Sequence, residues 1–164
     1  MNPTLDTNAV TVEGILYWSY GISNRWGGKG IDYYPETQGR MVSRMEDLRV
    51  EAAMVQRVVN RELRWPHLRA IIEAKYGERE ESVRKCAMML KKTATGQSTE
   101  AMIRLVEHFC LIRKYPDRAA MMDLGSGKSR CREVRSRYEG VLFGWEWFAL
   151  DALEESFRER GWVE

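Results

Sequence analysis

The sequence predicts an all-α fold: a compact multi-helix bundle holding one or two helix-turn-helix units, behind an aromatic, Gly-rich N-terminal segment. Three observations predict it. Apolar residues recur three and four apart over long stretches, the spacing of one helical face. Glycine, proline and Ser/Thr punctuate those stretches where helices stop and start, as at Trp65-Pro66, Gly77 and Gly96-Gln97-Ser98-Thr99. The composition, 44% hydrophobic and 30% charged, is a globular balance and not a disordered one, and 164 residues are enough for one domain or two small helical subdomains sharing a core. The expected organisation is a disordered N-terminus at 1–11 and a single helical domain at 12–164. That domain divides into an aromatic segment at 12–38, a helical body at 39–115, and a basic helix-turn-helix with a C-terminal helix at 116–164.

The elements follow in order. Val12, Ile15, Leu16, Ser19 and Ile22 keep a helical period, so 12–26 reads as a short amphipathic helix. Trp18, Tyr20 and Trp26 are expected to pack a small core. Trp26-Gly27-Gly28-Lys29-Gly30 ends the helix, because each glycine costs roughly 1 kcal/mol against alanine in a helix interior. Residues 31–38 read as extended, with Tyr34 biased away from helix by Pro35. Arg25, Trp26 and Lys29 in this loop are candidate partner-binding residues, since glycine-rich loops on rigid scaffolds are common contact sites.

From Gln38 or Gly39 to Arg61, Met41, Met45, Leu48, Ala52, Val55, Val58 and Val59 mark a long helix. Pro66 opens the next, with Leu68, Ile71, Ile72 and Tyr76 inward and Gly77 expected at the C′ position. Residues 80–92 turn Val83, Cys86, Ala87 and Leu90 to one side. Ser98 or Thr99 caps a helix expected to reach Tyr115, with Met102, Leu105, Val106, Phe109, Cys110 and Ile112 inward.

The stretch Leu124 to Tyr138 reads as the turn and second helix of a helix-turn-helix. Its first helix is Pro116–Leu124, with Ala120, Met121 and Leu124 inward. Gly125 and Gly127 are expected to allow positive φ at the turn, and Ser126 or Gly127 to serve as N-cap. Residues 128–137 carry Lys128, Arg130, Arg132, Arg135 and Arg137 against one acid, Glu133. At 100° per residue from Lys128, Arg132 falls at roughly 40° and Arg135 at roughly 340°, one cation stripe. Cys131, Val134, Tyr138, Val141 and Leu142 form a separate apolar stripe. One face docks on a core while the other offers cations and small serines, the division that a helix in a DNA groove needs. Ser126, Lys128, Ser129, Arg130, Arg132, Arg135 and Ser136 are the candidate DNA-binding residues.

Two rivals stand beside this. Gly125-Ser-Gly-Lys-Ser is similar to the end of a phosphate-binding loop, but Met122 occupies the place of the first required glycine and the preceding residues read as helix. The pair 80–92 and 98–115 is a second possible helix-turn-helix. Its second helix carries Glu100 and Glu107 and only Arg104 before residue 113, less positive potential than a phosphate-facing element needs.

From Tyr138 the chain continues the basic helix or begins a last one; Val141 to Leu150 is the most hydrophobic run, with Gly140 and Gly144 as possible bends. Trp145 and Trp147 sit roughly 200° apart on a helix, so one of them is expected at the surface.

Net charge is only +2, so any nucleic-acid surface has to be local; the last fourteen residues carry five acids and two bases. Cys86, Cys110 and Cys131 are widely spaced at apolar helix positions and read as reduced core residues. His67 and His108 have no ligand spacing, so no metal site and no cofactor are expected. Paired carboxylates, a Ser/His/Asp set and a Cys/His pair are all absent from the pattern, and no catalytic residue is assigned. No run approaches the ~20 apolar residues of a membrane span, and Met1–Asn8 lacks the regions of a signal peptide.

The segment Gly14-Ile-Leu-Tyr-Trp-Ser-Tyr-Gly-Ile-Ser-Asn-Arg-Trp-Gly-Gly-Lys-Gly resembles the aromatic, glycine-rich start of the late-gene antitermination Q proteins of lambdoid phages. The similarity runs on through the helix ending at Tyr76-Gly77 and into Ser82, Arg84, Ala87 and Leu90, over about residues 14–110. The resemblance implies a helix-turn-helix like region 4 of sigma factors. It also implies a protein that recognises double-stranded DNA near a late promoter, loads onto paused RNA polymerase and promotes read-through of terminators in the cytoplasm of a bacterial host cell. The basic unit at 116–138 and the Trp-rich tail lie beyond the matched region, which leaves open which helix pair reads DNA. The alternative is a helical protein-binding module, such as a phage-encoded inhibitor of a host machine, without DNA affinity.

Overall fold

The computed structural model describes the backbone of residues 11–27, 38–93, 96–111 and 127–163, and the side chains of 11–22, 47–93, 96–111 and 127–163. The described residues form six α-helices and no strand: α1 Val12–Gly27, α2 Gln38–Glu62, α3 Pro66–Gly77, α4 Glu80–Thr93, α5 Thr99–Leu111 and α6 Lys128–Glu159. The chain is all-α, as its periodicity predicts. Contacts gather into two groups, one formed by residues 1–63 with 150–164 and the other by 64–149.

In the first group α1 packs on α2. Thr11 caps α1: its Oγ1 accepts from Gly14 N at 3.1 Å and its carbonyl from Ile15 N at 3.1 Å. Val12, Ile15, Leu16, Ser19 and Tyr20 are buried, Trp18 is half-buried and Tyr17 is exposed. From α2, Ala52, Val55, Val58 and Val59 turn inward, followed by Leu63. Gln56 Nε2 donates to the Ser19 carbonyl at 3.3 Å, tying the two helices. Leu153 and Phe157 at the end of α6 are fully buried, and Ser156 Oγ donates to Glu62 Oε1 at 3.1 Å. Gly161 (φ 68°) then closes α6. Trp162 N bonds to Phe157 O and Gly161 N to Arg158 O, both at 2.9 Å, the paired bonds that satisfy a helix's last carbonyls.

The second group comprises α3, α4, α5 and α6 up to Ala149. Trp65 is extended (φ −78°, ψ 121°) and Pro66 opens α3, where its missing N–H costs nothing. The left-handed residue after α3 is Glu78 (φ 50°), so the expectation of Gly77 at C′ is off by one: Gly77 is buried inside the last turn. Gly96 (φ 89°) turns the chain between α4 and α5, and Ser98 Oγ accepts from Ala101 N at 3.1 Å to cap α5. The inward residues read from the sequence of α3 and α4 are all buried, as are Met102, Leu105, Val106 and Cys110 of α5. Lys75 Nζ meets Glu146 Oε1 at 2.5 Å, and Tyr76 Oη donates to the same oxygen at 3.3 Å. The Lys75 ammonium also lies 5.8 Å from the Phe109 ring, so α3, α5 and α6 converge on one nearly buried carboxylate. Cys86 and Cys110 are buried free thiols, and burial pushes the Cys86 thiol up to about 12, which keeps it inert at neutral pH.

Past Tyr138 the basic helix continues and no new one begins: α6 runs unbroken through Gly140 and Gly144, from Lys128 to Glu159. The loss at each glycine is small beside the burial of Leu142, Ala149, Leu153 and Phe157 along one face. Gly127 does not take positive φ; its carbonyl accepts from Cys131 N at 2.9 Å, the N-cap role.

Candidate nucleic-acid interface

The first three turns of α6 separate two faces. Cys131, Val134, Tyr138 and Leu142 are buried, and Val141 is half-exposed at the edge of that stripe. Lys128, Ser129, Arg130, Arg132, Ser136 and Arg137 are exposed. The helix therefore docks through the apolar stripe and leaves cations and short hydroxyls in water. Its first-turn N–H groups add positive potential at the same end.

The cations are not equivalent. Lys128, Arg132 and Arg137 make no ion pair with any described carboxylate. Arg130 meets Glu133 at 3.0 Å, an exposed i,i+3 pair that water and salt weaken and that a phosphate could displace. Arg135 is held differently. Its Nε donates to Glu139 Oε1 at 2.7 Å and its other nitrogen lies 3.2 Å from His108 Nε2, with all three side chains partly buried. The stripe drawn from the sequence grouped Arg135 with Lys128 and Arg132; the structure seats it against α5. No local pattern signals this contact, because His108 is twenty-seven positions away.

Ser126, Pro116–Leu124 and Gly125 lie outside the described residues, as do the side chains of Arg25 and Trp26 and the whole of Lys29. The described part of the interface is thus Lys128, Ser129, Arg130, Arg132, Arg135 and Ser136. Beyond it, α6 turns a second feature to solvent that the sequence showed only in part. Phe143, Trp147 and Phe148 are 64%, 55% and 59% exposed, with the last two rings edge to face at 5.2 Å. Of Trp145 and Trp147, the former is half-buried against His67 (5.0 Å between rings) and the latter faces out, as their angular separation requires. Phe143 and Gly140 also border an open groove of about 540 Å³ shared with His108, Phe109, Ser136 and Glu139. The signal for this face was present as Ser136, Gly140, Phe143 and Trp147 at intervals of four, three and four.

Among the described residues no group of three or more His, Cys, Asp or Glu side chains could hold a metal ion, and no helix is long and apolar enough to cross a membrane. Comparison with protein-family models, with curated proteins and with solved structures gives no match to this chain.

Proposed function

We propose that this protein is a sequence-specific DNA-binding transcription regulator that meets double-stranded DNA with the opening turns of α6. One observation carries the reading. Lys128 and Arg132 share a solvent face, neither is paired with a described carboxylate, and the opposite side of the same turns is buried. Cations on a rigid helix whose other face is anchored supply the phosphate contacts that dominate affinity, and Ser129 and Ser136 leave room for close approach to base edges. Arg135, clasped by Glu139 and His108, sets the position of the helix, and reaches a phosphate only by leaving them. The resemblance to late-gene antitermination proteins extends the proposal to a phage antiterminator that loads on paused RNA polymerase and promotes read-through, in the cytoplasm of a bacterial host. The proposal includes no enzymatic activity.

The test is a salt-dependent DNA-binding titration with promoter-proximal phage DNA. Wild-type affinity should fall steeply with salt, and the triple variant Lys128→Ala, Arg132→Ala, Arg135→Ala should lose about two units of the log–log salt slope, those of Lys128 and Arg132, and retain its helical content. Undiminished retention by the triple variant rejects the assignment. A specific observation also favours a second reading, a protein-binding module without DNA affinity: the exposed trio Phe143, Trp147 and Phe148 has the composition of an interface centre. Polymerase binding by a chain that never binds DNA would select that reading.

A further inference from the structure

The open groove between α5 and α6 lies in line with the cations at the start of α6. Arg132, Ser136, Gly140 and Phe143 follow one another at intervals of four, four and three, all exposed and within roughly 80° of the helix circumference. Ser136, Gly140 and Phe143 line the groove from α6 together with Glu139, and His108 and Phe109 line it from α5. Every one of these residues belongs to the group 64–149. At about 540 Å³ the groove falls within the roughly 300–1,000 Å³ of small-molecule sites.

Gly140 preserves this space. It sits in mid-helix without positive φ, and no atom comes within 4 Å of where a Cβ would stand. Any larger residue would strengthen the helix and would project into the groove. The two ends of the stripe differ in chemistry. Lys128 and Arg132 make no ion pair with any described carboxylate, and the first-turn N–H groups of α6 add positive potential beside them. Glu139 does not cancel that potential, because Arg135 holds its carboxylate at 2.7 Å. At the other end Phe143 offers a ring that is 64% exposed. An occupant that matches both ends carries anionic groups and then a flat ring, which is the chemistry of a phosphate chain bearing bases. From Lys128 to Phe143 the helix rises roughly 22 Å at 1.5 Å per residue, a length that calls for a strand and not for a free nucleotide.

We infer that this groove takes an unpaired base of single-stranded DNA, with the strand's phosphates on Lys128 and Arg132. The base stacks on Phe143 and turns its edge toward Ser136 and Glu139, a hydroxyl that donates or accepts and a carboxylate that accepts. Pairing status follows from the ring. A base inside a duplex is already stacked on both faces, so only an unpaired one can lay its face on an aromatic side chain. Stacking tolerates any base, so sequence preference in the groove is weak. The inference rests on the DNA reading above for its cations: the strand in the groove continues the duplex that the opening turns of α6 meet.

Fluorescence anisotropy with the full chain tests this on four labelled probes: a blunt DNA duplex, the same duplex with a thymidine overhang, oligothymidylate alone and oligouridylate alone. Wild type should bind the overhang duplex about tenfold or more tightly than the blunt one. Phe143→Ala removes the ring from an exposed position, and Gly140→Leu fills the groove while raising helix propensity, so neither loss can be assigned to misfolding. Each should abolish the overhang preference and leave blunt-duplex affinity unchanged. Equal binding of the two duplexes, or a preference that survives both substitutions, overturns the inference and leaves the proposed function standing. Oligothymidylate binding that both substitutions abolish, in a chain that ignores the blunt duplex, keeps the groove and removes the duplex reading. Tighter binding of oligouridylate than of oligothymidylate overturns the assignment to DNA. Binding of none of the four probes overturns both readings.

Discussion

α5 and the opening turns of α6 are the two helices that the sequence offers for reading DNA, and they present opposite surfaces. In α5 Ala101, Met102, Leu105, Val106 and Cys110 are buried, and Glu100 alone is exposed. Its one arginine, Arg104, is turned back onto Glu100 at 3.3 Å. In α6, six of the ten residues from Lys128 to Arg137 are exposed cations or serines: Lys128, Ser129, Arg130, Arg132, Ser136 and Arg137. A helix that meets phosphates needs exposed cations left over after it has packed, and of these two the opening turns of α6 have them.

The contrast can be broken by substitution, and the largest effect belongs to α5. Leu105→Ala should cost about 2–5 kcal/mol of stability, because it empties a fully buried site, whereas Arg132→Ala should stay within about 0.5 kcal/mol. Urea denaturation of both variants decides it. A severe loss from Arg132→Ala would mean that this arginine is structural and not available to DNA.

Glu146→Gln comes next. It leaves the Lys75 ammonium, which is three-quarters buried, facing a neutral amide, and an expected loss of about 1–3 kcal/mol follows once partial solvation of Lys75 is allowed for. Unchanged thermal stability would show that the Lys75–Glu146 pair does not hold α6 to α3.

A smaller and opposite effect is expected at Glu139. Glu139→Gln releases Arg135 from its carboxylate, so DNA affinity should rise several-fold and the salt slope should steepen by about one unit. A fall in affinity would instead make the clasped position of Arg135 the binding-competent one. This sharpens the division between positioning and contacting cations within the same three turns.

The smallest effect is a pH dependence. Burial beside Trp145 holds the His67 imidazole below its ordinary value. A histidine whose folded value is depressed favours the neutral form, so its stabilisation is complete above the unfolded value near 6.5 and is lost as pH falls through the lower folded value. Urea midpoints measured from neutral to acidic pH should therefore decline less in His67→Gln than in wild type. Parallel declines would place the proton uptake elsewhere.

Most of the fold was legible from periodicity because burial here follows helical faces closely. Leu68, Ile71, Ile72 and Tyr76, then Val83, Cys86, Ala87 and Leu90, are inward by spacing and buried in fact. Helix boundaries followed capping chemistry at Thr11, Pro66, Ser98 and Gly161. The failure was local: Glu78 took the left-handed turn assigned to Gly77. Whether the basic helix continued past Tyr138 was left open by the pattern, and packing made it one helix. In the candidate site, the separation of cations from the apolar stripe was also legible, since one helix carries both.

The order of residues along the chain was enough to determine which segments become helices and which side of each is apolar, because those depend on backbone propensity and on neighbours three and four positions away. What remained for tertiary packing was which polar faces stay in water and which cations stay free. Arg135 is seated by a histidine from another helix, and Phe143 and Trp147 are left uncovered by it. Those outcomes depend on distances between residues far apart in sequence, which no local pattern encodes.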